Sequence, residues 1–528
     1  MATGLFASAK SMTTEAQDSL VAAMLQPEFY PKPPACVSHK ETHISHIFFA
    51  DELVYKVKKA VRYSFLDYST VEKRRYFLQE ELRLNRRLAP SVYIGVLPIT
   101  FDDLGWRLGG WAEPTEYTLV MRRLPDKRML PFLLDIGQVT AAMMRELAEL
   151  LARFHSDAER VTGIEPDRYP ALVRAQWNDN LADLAQASNQ VIDSENCHAI
   201  EEFGAEFFLR HCETLKRRAA NGWLRDVHGD LHTEHVCFAP EGIQIFDCIE
   251  FEPKFRQCDL ASEIAFLMMD MDVRGGDSLV APFLQRYREL IDDAEADELL
   301  PFWRCYRALV RAKVYALRGA SGFATASRYA RYAARLAWTP AQPFIAIVSG
   351  LTGSGKSTLA RELSARTGVP TINSDVVRKE LARKQGRQPA PYNQGIYSAG
   401  MTEKTYAKMA REAQKLILSG RGVILDGTFM KRSQRQKILG LAQKQQIPLL
   451  AIHCLVSDDI TQERLAQRGS VGTDVSDGRW EIYQQQKDVF EALDDIPAAA
   501  RLELDTDATL DTLAVACEKF LRTRLARH

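Results

Sequence analysis

The sequence has no excess of charge of either sign. Its 528 residues include 68 Lys and Arg against 69 Asp and Glu, which gives a formal net charge of −1. A protein held to nucleic acid or to an anionic membrane by its overall field needs a strongly basic balance. This composition therefore excludes a general cationic binder and leaves only a local basic groove as a nucleic-acid site.

Cysteines and long apolar runs are also scarce. The nine cysteines are odd in number, dispersed, and form no CxxC pair, which is typical of reduced residues in a cytoplasmic protein. No stretch approaches the roughly 18 uninterrupted apolar residues of a membrane helix. The N-terminus lacks the basic segment and apolar core of a signal peptide. We therefore expect a cytoplasmic protein without a membrane partner.

The length predicts two or three domains, at roughly 100–200 residues each. A β-hairpin pattern begins near residue 43, a mostly helical region follows residue 138, and the character changes again at WTPAQP (338–343). Beyond it, strands and helices alternate, which predicts a parallel sheet of βαβ units. The predicted organisation is a helical N-terminal extension (1–42), a first domain (43–337), a linker (338–343) and a second domain (344–528).

The sharpest motif is GLTGSGKST (350–358), which satisfies GxxxxGK[ST] between an apolar strand and a helix-forming stretch. Its glycines let backbone N–H groups turn toward phosphate oxygens at a helix N-terminus, where the helix dipole favours anions. The lysine is expected to reach the terminal phosphates of ATP, and the serine after it to ligate Mg²⁺. The predicted nucleotide-binding residues of this Walker A loop are Gly350, Gly353, Ser354, Gly355, Lys356, Ser357 and Thr358.

Two carboxylates follow at strand ends in the second domain. Asp426 closes the apolar strand VILD, as expected of the acid that orients the Mg²⁺ shell. Asp375 follows the short strand PTIN, so it should lie at the carboxyl end of a parallel strand, where α/β sheets bind ligands. There it could accept the proton of a substrate hydroxyl. Helix capping by Ser374 or Asp375 is the alternative explanation.

Residues 344–500 resemble the small P-loop kinases that include zeta toxins, chloramphenicol phosphotransferase and the kinase domain of polynucleotide kinases. The resemblance rests on the P-loop and on the segments SDVVRKEL, GIYS, LDGTF and ERLAQRG. It implies that Asp375 is the general base and that Arg378 contacts substrate or phosphate. It also implies that Arg464 and Arg468 are lid arginines that stabilise charge on the transferring phosphoryl, although a solvated helix face explains them equally well. The relatives use different acceptors, so the acceptor stays open.

The first domain carries a second pair of candidate catalytic carboxylates. Asp230 lies in VHGDLH, and Asp247 ends the apolar strand IQIFD. Asp230 would orient an attacking hydroxyl, and Asp247 would hold Mg²⁺ through hard oxygen ligands. Taken alone, two such aspartates are more often turn formers and caps.

The segments HGDLH, IFDCIEF and CDLASEIAFL, in this order, resemble the aminoglycoside phosphotransferase and choline kinase family, which shares the protein-kinase-like fold. The resemblance covers about 43–335 and implies a two-lobed α+β domain. It implies that Lys56 pairs with nucleotide phosphates, with Lys58 as the alternative. It further implies that Glu81 is the ion-pair partner of that lysine, with Glu80 as the alternative.

The same resemblance implies that Asp259 braces the catalytic loop, but the sequence departs from the family pattern in two places. His235 stands where the family has an asparagine that ligates a second Mg²⁺, and imidazole suits Zn²⁺ or Cu²⁺ better. Either one metal suffices, Glu234 or water compensates, or the domain binds nucleotide without efficient transfer. The glycine-rich loop over the phosphates is also absent. A zinc cluster of His228, His232 and His235 is less favoured, because the kinase resemblance already explains the first two.

The whole chain resembles bacterial proteins described as bifunctional aminoglycoside phosphotransferase/ATP-binding proteins. We expect a phosphotransferase that uses ATP and Mg²⁺ and transfers the γ-phosphate to a hydroxyl of a small molecule or nucleotide. One alternative is a regulatory ATP- or ligand-sensing protein with a pseudokinase first domain. Another is a polynucleotide 5′-kinase, in which a basic channel would be lined by Arg378, Lys379, Arg383, Lys384 and Arg387. No pattern in the sequence indicates an oligomeric state.

Overall fold

The computed structural model describes residues 14–63, 66–186, 191–338, 343–384, 398–471 and 480–525, with only the backbone given for 14–16, 195, 383–384 and 467–471. The chain divides into two compact units. The first contains Met1–Ile192 and Gly204–Ala333, and the second contains Asp193–Phe203 and Ala334–His528. The finer domain boundaries predicted from the sequence stay predictions.

The strands of the first unit are short and antiparallel. In chain order they are β1 (Val37–Glu41), β2 (Ser45–Ala50), β3 (Leu53–Lys58), β4 (Arg62–Tyr63), β5 (Leu66–Asp67), β6 (Tyr93–Asp102), β7 (Gly105–Leu108), β8 (Pro114–Arg122), β9 (Leu224–Asp226), β10 (Val236–Ala239), β11 (Gly242–Ile245) and β12 (Gln257–Asp259). Six of them form one sheet in the order β1-β2-β3-β8-β6-β7. The others pair as β4-β5, β10-β11 and β12-β9.

Helices fill the rest of the first unit. They are α1 (Thr14–Met24), α2 (Val71–Asn85), α3 (Leu130–Asp135), α4 (Ala141–Asp157), α5 (Tyr169–Gln186), α6 (Ser194–Ala220), α7 (Pro253–Arg256), α8 (Leu260–Val273), α9 (Asp277–Leu290), α10 (Ala296–Ala316) and α11 (Ala320–Ala337). The first residues of α6 and the last of α11 belong to the second unit.

The predicted hairpin near residue 43 is confirmed as β2 and β3, which turn at Asp51 with a positive φ of 50°. One sheet face packs on α1 through a cluster that includes Leu20 and Phe48. On the other face Leu78 of α2 packs against Leu119 of β8. Alternation along the strands thus buries both faces and holds α2 beside β3.

The second unit contains the predicted parallel sheet. Its strands are β13 (Ile345–Ser349), β14 (Thr371–Asn373), β15 (Val423–Asp426), β16 (Leu449–Leu455) and β17 (Arg501–Asp505). They lie in the order β14-β15-β13-β16-β17, and every neighbouring pair is parallel. The helices are α12 (Lys356–Thr367), α13 (Ser374–Lys384), α14 (Ala399–Leu418), α15 (Arg432–Gln445), α16 (Asp458–Val471), α17 (Trp480–Asp488) and α18 (Leu510–Leu525).

Register brings the ends of three neighbouring strands together. Val348 of β13 and Asn373 of β14 both pair with Asp426 of β15. All five residues of β13 are buried, as expected of a central strand covered on both faces. The loops after β13, β14 and β15 therefore meet at one edge of the sheet. Across the ranges described above, no helix is long and apolar enough to cross a membrane.

Candidate functional sites

The loop after β13 has a backbone conformation that strongly favours glycine. Gly353 and Gly355 have φ values of 85° and 78°, in the left-handed region that other residues rarely occupy. A Cβ on Gly350 would lie 2.8 Å from the backbone oxygen of Cys454. The loop turns tightly into α12, which begins at Lys356. This is the geometry in which a helix N-terminus and its preceding loop bind phosphate.

The polar side chains of this loop have few internal partners. Lys356 donates from Nζ to the Leu351 carbonyl over 3.4 Å, and within the described residues no carboxylate pairs with it. Ser354 Oγ is buried and has no hydrogen-bond partner among those residues. Ser357 and Thr358 occupy the first turn of α12. The loop thus presents an ammonium group and hydroxyls that an anionic ligand could engage.

Asp426 at the end of β15 has one carboxylate oxygen held and the other unpaired. Its Oδ2 accepts a hydrogen bond from Asn373 Nδ2 over 2.5 Å, while Oδ1 is buried without a hydrogen-bond partner in the described part of the chain. Burial raises the pKa of Asp426, and the positive charge of Lys356 opposes that shift. A buried, unpaired carboxylate oxygen is costly unless a cation or donor meets it, so the residues present fit Mg²⁺.

Asp375 lies in the first turn of α13, next to the end of β14. The helix cap is Asn373, whose Oδ1 accepts from the backbone N–H groups of Asp375 and Val376 over 2.9 and 3.0 Å. The cap suggested at Ser374 or Asp375 is therefore wrong, because the preceding amide oxygen already meets the first free N–H groups. The Asp375 carboxylate instead pairs with Arg378.

The guanidinium of Arg464 lies beside the phosphate-binding loop. It donates from Nη2 to the backbone oxygen of Thr506 over 2.6 Å, and Nη1 would be 3.6 Å from a Cβ built on Gly355. The side chain of Arg468 lies outside the described residues. So do residues 395–397 of GIYS and the side chains of Arg383, Lys384 and Arg387, which the basic-channel hypothesis needs.

In the first unit, Lys56 of β3 meets two carboxylates. Its Nζ lies 2.6 Å from Glu81 Oε1 on α2 and 3.0 Å from Asp247 Oδ1. Both acids raise the pKa of Lys56 despite its burial. The predicted pairing of Lys56 with Glu81 is thus present, and it faces the carboxylate predicted to hold metal.

The alternative lysine and glutamate have different surroundings. Lys58 is fully buried, where it pairs with Glu81 over 2.8 Å and also with Glu250. Glu80 pairs with Arg83 one turn along α2, over 2.7 Å, at the surface. Lys58 therefore belongs to a buried ion cluster behind Lys56, and Glu80 does not reach either lysine.

The loop that carries Asp230 is braced from α8 by two buried acids. Glu263 accepts from the backbone N–H groups of His228 and Gly229 over 2.9 and 3.1 Å. Asp270 accepts from the backbone N–H of Thr233 over 3.0 Å. Sequence reasoning missed both residues, although acids within a mostly apolar and buried helix were a usable signal.

Asp259 does not have the bracing role that the resemblance implied. Arg218 of α6 binds both its carboxylate oxygens over 2.7 Å, and Asp259 also caps α8 at the Ala261 N–H. Among the described residues it makes no hydrogen bond to the catalytic loop. The ion pair between Arg218 and Asp259 is needed because a buried arginine without a counter-charge would be strongly destabilising.

The remaining candidate residues of the first unit lie close together, in the loop that carries Asp230 and directly after strand β11. Asp230 Oδ2 lies 3.4 Å from His232 Nε2 and 3.6 Å from His235 Nδ1. Burial raises the pKa of Asp230, but the two imidazoles and Arg311 outweigh it and lower the pKa overall. The pKa of Asp247 is also lowered, because Lys56 and His235 together outweigh burial. Both aspartates are therefore ionised at neutral pH.

These residues line a cavity of about 1850 Å³ within the first unit. Part of its wall is α10, which the sequence did not single out and which presents Trp303, Arg307 and Arg311 at four-residue spacing. Trp303 Nε1 and Arg311 Nε are buried without hydrogen-bond partners in the described part of the chain. A Trp-Arg-Arg spacing of i, i+4, i+8 was the only local signal for this face.

Comparisons with known proteins agree with the division of the chain into two units. Residues 50–300 match the family described as "Phosphotransferase enzyme family", and 345–493 match the family described as "AAA domain". "Uncharacterized protein Rv2004c" of Mycobacterium tuberculosis is 31% identical over 443 residues, which cover 83% of this chain and 87% of that protein.

Two further similarities each cover about a third of the chain or less. "Cytidylate kinase" of Methanobrevibacter smithii is 24% identical over 147 residues, which cover 27% of this chain and 74% of that protein. Among solved structures, a gluconokinase from Sinorhizobium meliloti 1021 is 18% identical with a TM-score of 0.27, and the match covers 35% of this chain and 95% of that one.

Proposed function

We propose a function on the premise that the chain belongs to the same family as the Mycobacterium tuberculosis protein. The chain joins a phosphotransferase-family domain to an AAA domain. The second unit is proposed to be an ATP-dependent kinase. It transfers the γ-phosphoryl group of ATP to a hydroxyl of a small molecule or nucleotide, in the cytoplasm. The observation that carries this proposal is the buried Oδ1 of Asp426 beside the phosphate-binding loop, which has no hydrogen-bond partner among the residues that the structure describes, with Asp375 at the next strand end.

In this proposal each loop group has a separate task. The backbone N–H groups of 350–358 and the ammonium of Lys356 bind the phosphates, while Ser357 and Asp426 hold Mg²⁺. The metal supplies positive charge that offsets the charge of the phosphates during transfer. Arg464 adds a second cation next to Gly355, and Arg468 is assigned the same task from the resemblance.

Asp375 serves as the base for the acceptor. As the acceptor oxygen forms its bond to the γ-phosphorus, the bond from that phosphorus to the β,γ-bridging oxygen breaks and ADP leaves. The hydroxyl proton passes to the Asp375 carboxylate. Arg378 orients that carboxylate through their ion pair and is proposed to contact the acceptor or its phosphate.

The first unit is proposed to have the two-lobed kinase-like arrangement and to bind a second nucleotide. Lys56, positioned by Glu81, would pair with its phosphates, Asp247 would hold metal, and Asp230 would orient an acceptor. On α10, which lines the same cavity as Asp230, the buried atoms Trp303 Nε1 and Arg311 Nε have no hydrogen-bond partner among the described residues and favour an acceptor with anionic or carbonyl groups. A polycationic aminoglycoside would meet arginines there, so we do not assign it.

A sensing protein with an inactive first unit is the second candidate. Two observations favour it: His235 stands beside both aspartates, and Lys56 already pairs with Asp247. A polynucleotide 5′-kinase stays a further alternative, and three of the five side chains of its basic channel lie outside the described residues.

The test incubates the full chain with ATP and a metabolite extract and compares wild type with Lys356→Ala and Asp230→Asn. Lys444→Ala, an exposed lysine on α15, is the matched control. A phosphorylated product that is lost only in Lys356→Ala supports transfer by the second unit. Nucleotide binding without a product from any extract would contradict it and favour the sensor.

A further inference from the structure

The imidazole of His235 is held in one tautomer by the backbone. Its Nδ1 lies 2.9 Å from the carbonyl oxygen of Asp230, and because a carbonyl can only accept, Nδ1 carries the hydrogen. In the neutral ring Nε2 therefore has the free lone pair. A histidine that donates one ring N–H to a backbone carbonyl and presents the other nitrogen is typical of metal ligation.

The free nitrogen faces a carboxylate oxygen. His235 Nε2 lies 3.6 Å from Asp247 Oδ2, while Oδ1 of the same carboxylate is held by Lys56. Asp247 has a positive φ of 65°, a conformation that is costly for a non-glycine residue and is found mostly at functional sites. Both side chains are thus oriented toward each other by contacts outside the pair.

Two electron-rich atoms at this spacing repel each other, and a positive charge between them would remove that repulsion. A proton shared in a hydrogen bond would bring nitrogen and oxygen to about 2.7–3.2 Å, which is shorter than the spacing observed. Two ligands bound to one ion at about 2.0–2.2 Å and a tetrahedral angle are about 3.4 Å apart. The spacing therefore fits a shared metal ion better than a shared proton.

We propose that His235 Nε2 and Asp247 Oδ2 are the two protein ligands of a transition-metal site that prefers Zn²⁺ or Mn²⁺ to Mg²⁺. A nitrogen ligand favours first-row transition metals over Mg²⁺, which prefers oxygen. This inference rests on the metal-holding role proposed above for Asp247, and it adds a second ligand and the preferred ion, neither of which requires that the first unit transfer phosphate.

His232 is not a third ligand, although it lies near enough. One ligand atom each of Asp230, His232 and His235 lies within 4.8 Å of the other two. However, Arg311 Nη1 donates to His232 Nε2 over 3.1 Å, and a guanidinium at that nitrogen repels a metal ion. Water or nucleotide phosphate would complete the coordination shell.

The test measures Mn²⁺ binding to the full chain without nucleotide, using electron paramagnetic resonance. All proteins carry Asp426→Asn, so that the P-loop unit contributes no metal ion. We expect electron spin echo modulation from ¹⁴N, the signature of a coordinated imidazole. We also expect Mn²⁺ to bind at least about tenfold more tightly than Mg²⁺, and Zn²⁺ to displace it.

His235→Asn should remove the ¹⁴N modulation and weaken Mn²⁺ binding at least about tenfold, with Mg²⁺ affinity nearly unchanged. The matched control is His211→Asn, since His211 also faces a carboxylate, Glu298, at 4.0 Å in the same unit. It should change neither quantity. The proposal would be overturned if the Asp426→Asn parent protein bound no Mn²⁺, bound Mg²⁺ with equal affinity or showed no ¹⁴N modulation, or if the modulation persisted after His235→Asn. The spectrum of the parent protein decides even if the His235→Asn variant fails to fold.

Discussion

Asn373 donates a hydrogen bond from Nδ2 to Oδ2 of Asp426 over 2.5 Å. With its Oδ1, the same side chain caps the helix that carries Asp375. One amide therefore fixes both the proposed metal ligand and the proposed base, while Oδ1 of Asp426 has no hydrogen-bond partner in the described part of the chain.

Replacement of Asn373 should uncouple these two groups. Asn373→Ala removes the cap and should lower stability by about 1 kcal/mol, while product formation falls by about tenfold or more because Asp375 loses its position. Asn373→Asp keeps a capping oxygen but places a second negative charge beside Asp426. We expect it to lower both stability and activity, because two adjacent carboxylates repel each other. Rates of transfer and urea unfolding curves test this, and normal activity in both variants would contradict it.

Substitution of Lys58 should mainly lower the stability of the first unit, whereas substitution of Lys56 should mainly weaken its binding of nucleotide. Lys58→Met leaves Glu81 and Glu250 buried without this cation, so unfolding free energy should fall by about 3–5 kcal/mol. Lys56→Met should mainly weaken nucleotide binding by the first unit, since Glu81 keeps Lys58. Urea unfolding and nucleotide titration of both variants separate the effects. Equal destabilisation without a difference in binding would refute the assignment.

Two buried histidines should make the first unit sensitive to acid. Burial lowers the pKa of His155 and of His228 to about 3, below the usual value of about 6.5. As the pH falls below about 6.5, the unfolded chain takes up protons that the folded chain does not. Stability should therefore fall by about 1.4 kcal/mol per pH unit for each histidine, until about pH 3.

Unfolding free energies between pH 7 and pH 5 measure this slope through tryptophan fluorescence. His155→Gln should remove the contribution of one imidazole from the slope. His198→Gln, which changes an exposed histidine on α6, should leave the slope as in wild type. A slope that is insensitive to His155→Gln would show that other groups govern the acid response.

Alanine at Gly353 should damage the phosphate-binding loop. Its φ of 85° disfavours any side chain, and a Cβ would lie 2.8 Å from Thr461 Cγ2. We expect a loss of roughly 1–2 kcal/mol in stability and weaker ATP binding by the second unit. The control is Gly440→Ala on α15, where a Cβ meets nothing within 4 Å and should stabilise the helix by about 0.5–1 kcal/mol. Thermal unfolding and ATP titration provide both readouts, and tight ATP binding by Gly353→Ala would contradict the loop geometry.

The sequence by itself determined the features that depend on contiguous residues. The loop 350–358 follows an apolar strand and opens a helix, so its geometry is local. The parallel sheet followed from alternating strands and helices, and the hairpin β2-β3 from its period of two. The pairing of Lys56 with Glu81 was also anticipated, but only through the order of motifs along the chain.

The tertiary structure alone decided which distant groups meet. Glu263, rather than Asp259, braces the loop that carries Asp230, because Arg218 is packed where it binds both oxygens of Asp259. The acids of α8 and the residue spacing on α10 were weak local signals that did not name a partner, and the approach of His235 to Asp247 had no local signal. Each depends on a side chain buried against an element far along the chain, where an unpaired charge or dipole is too costly to leave. Period and spacing encode the elements, whereas the pairing of buried charges depends on how those elements pack.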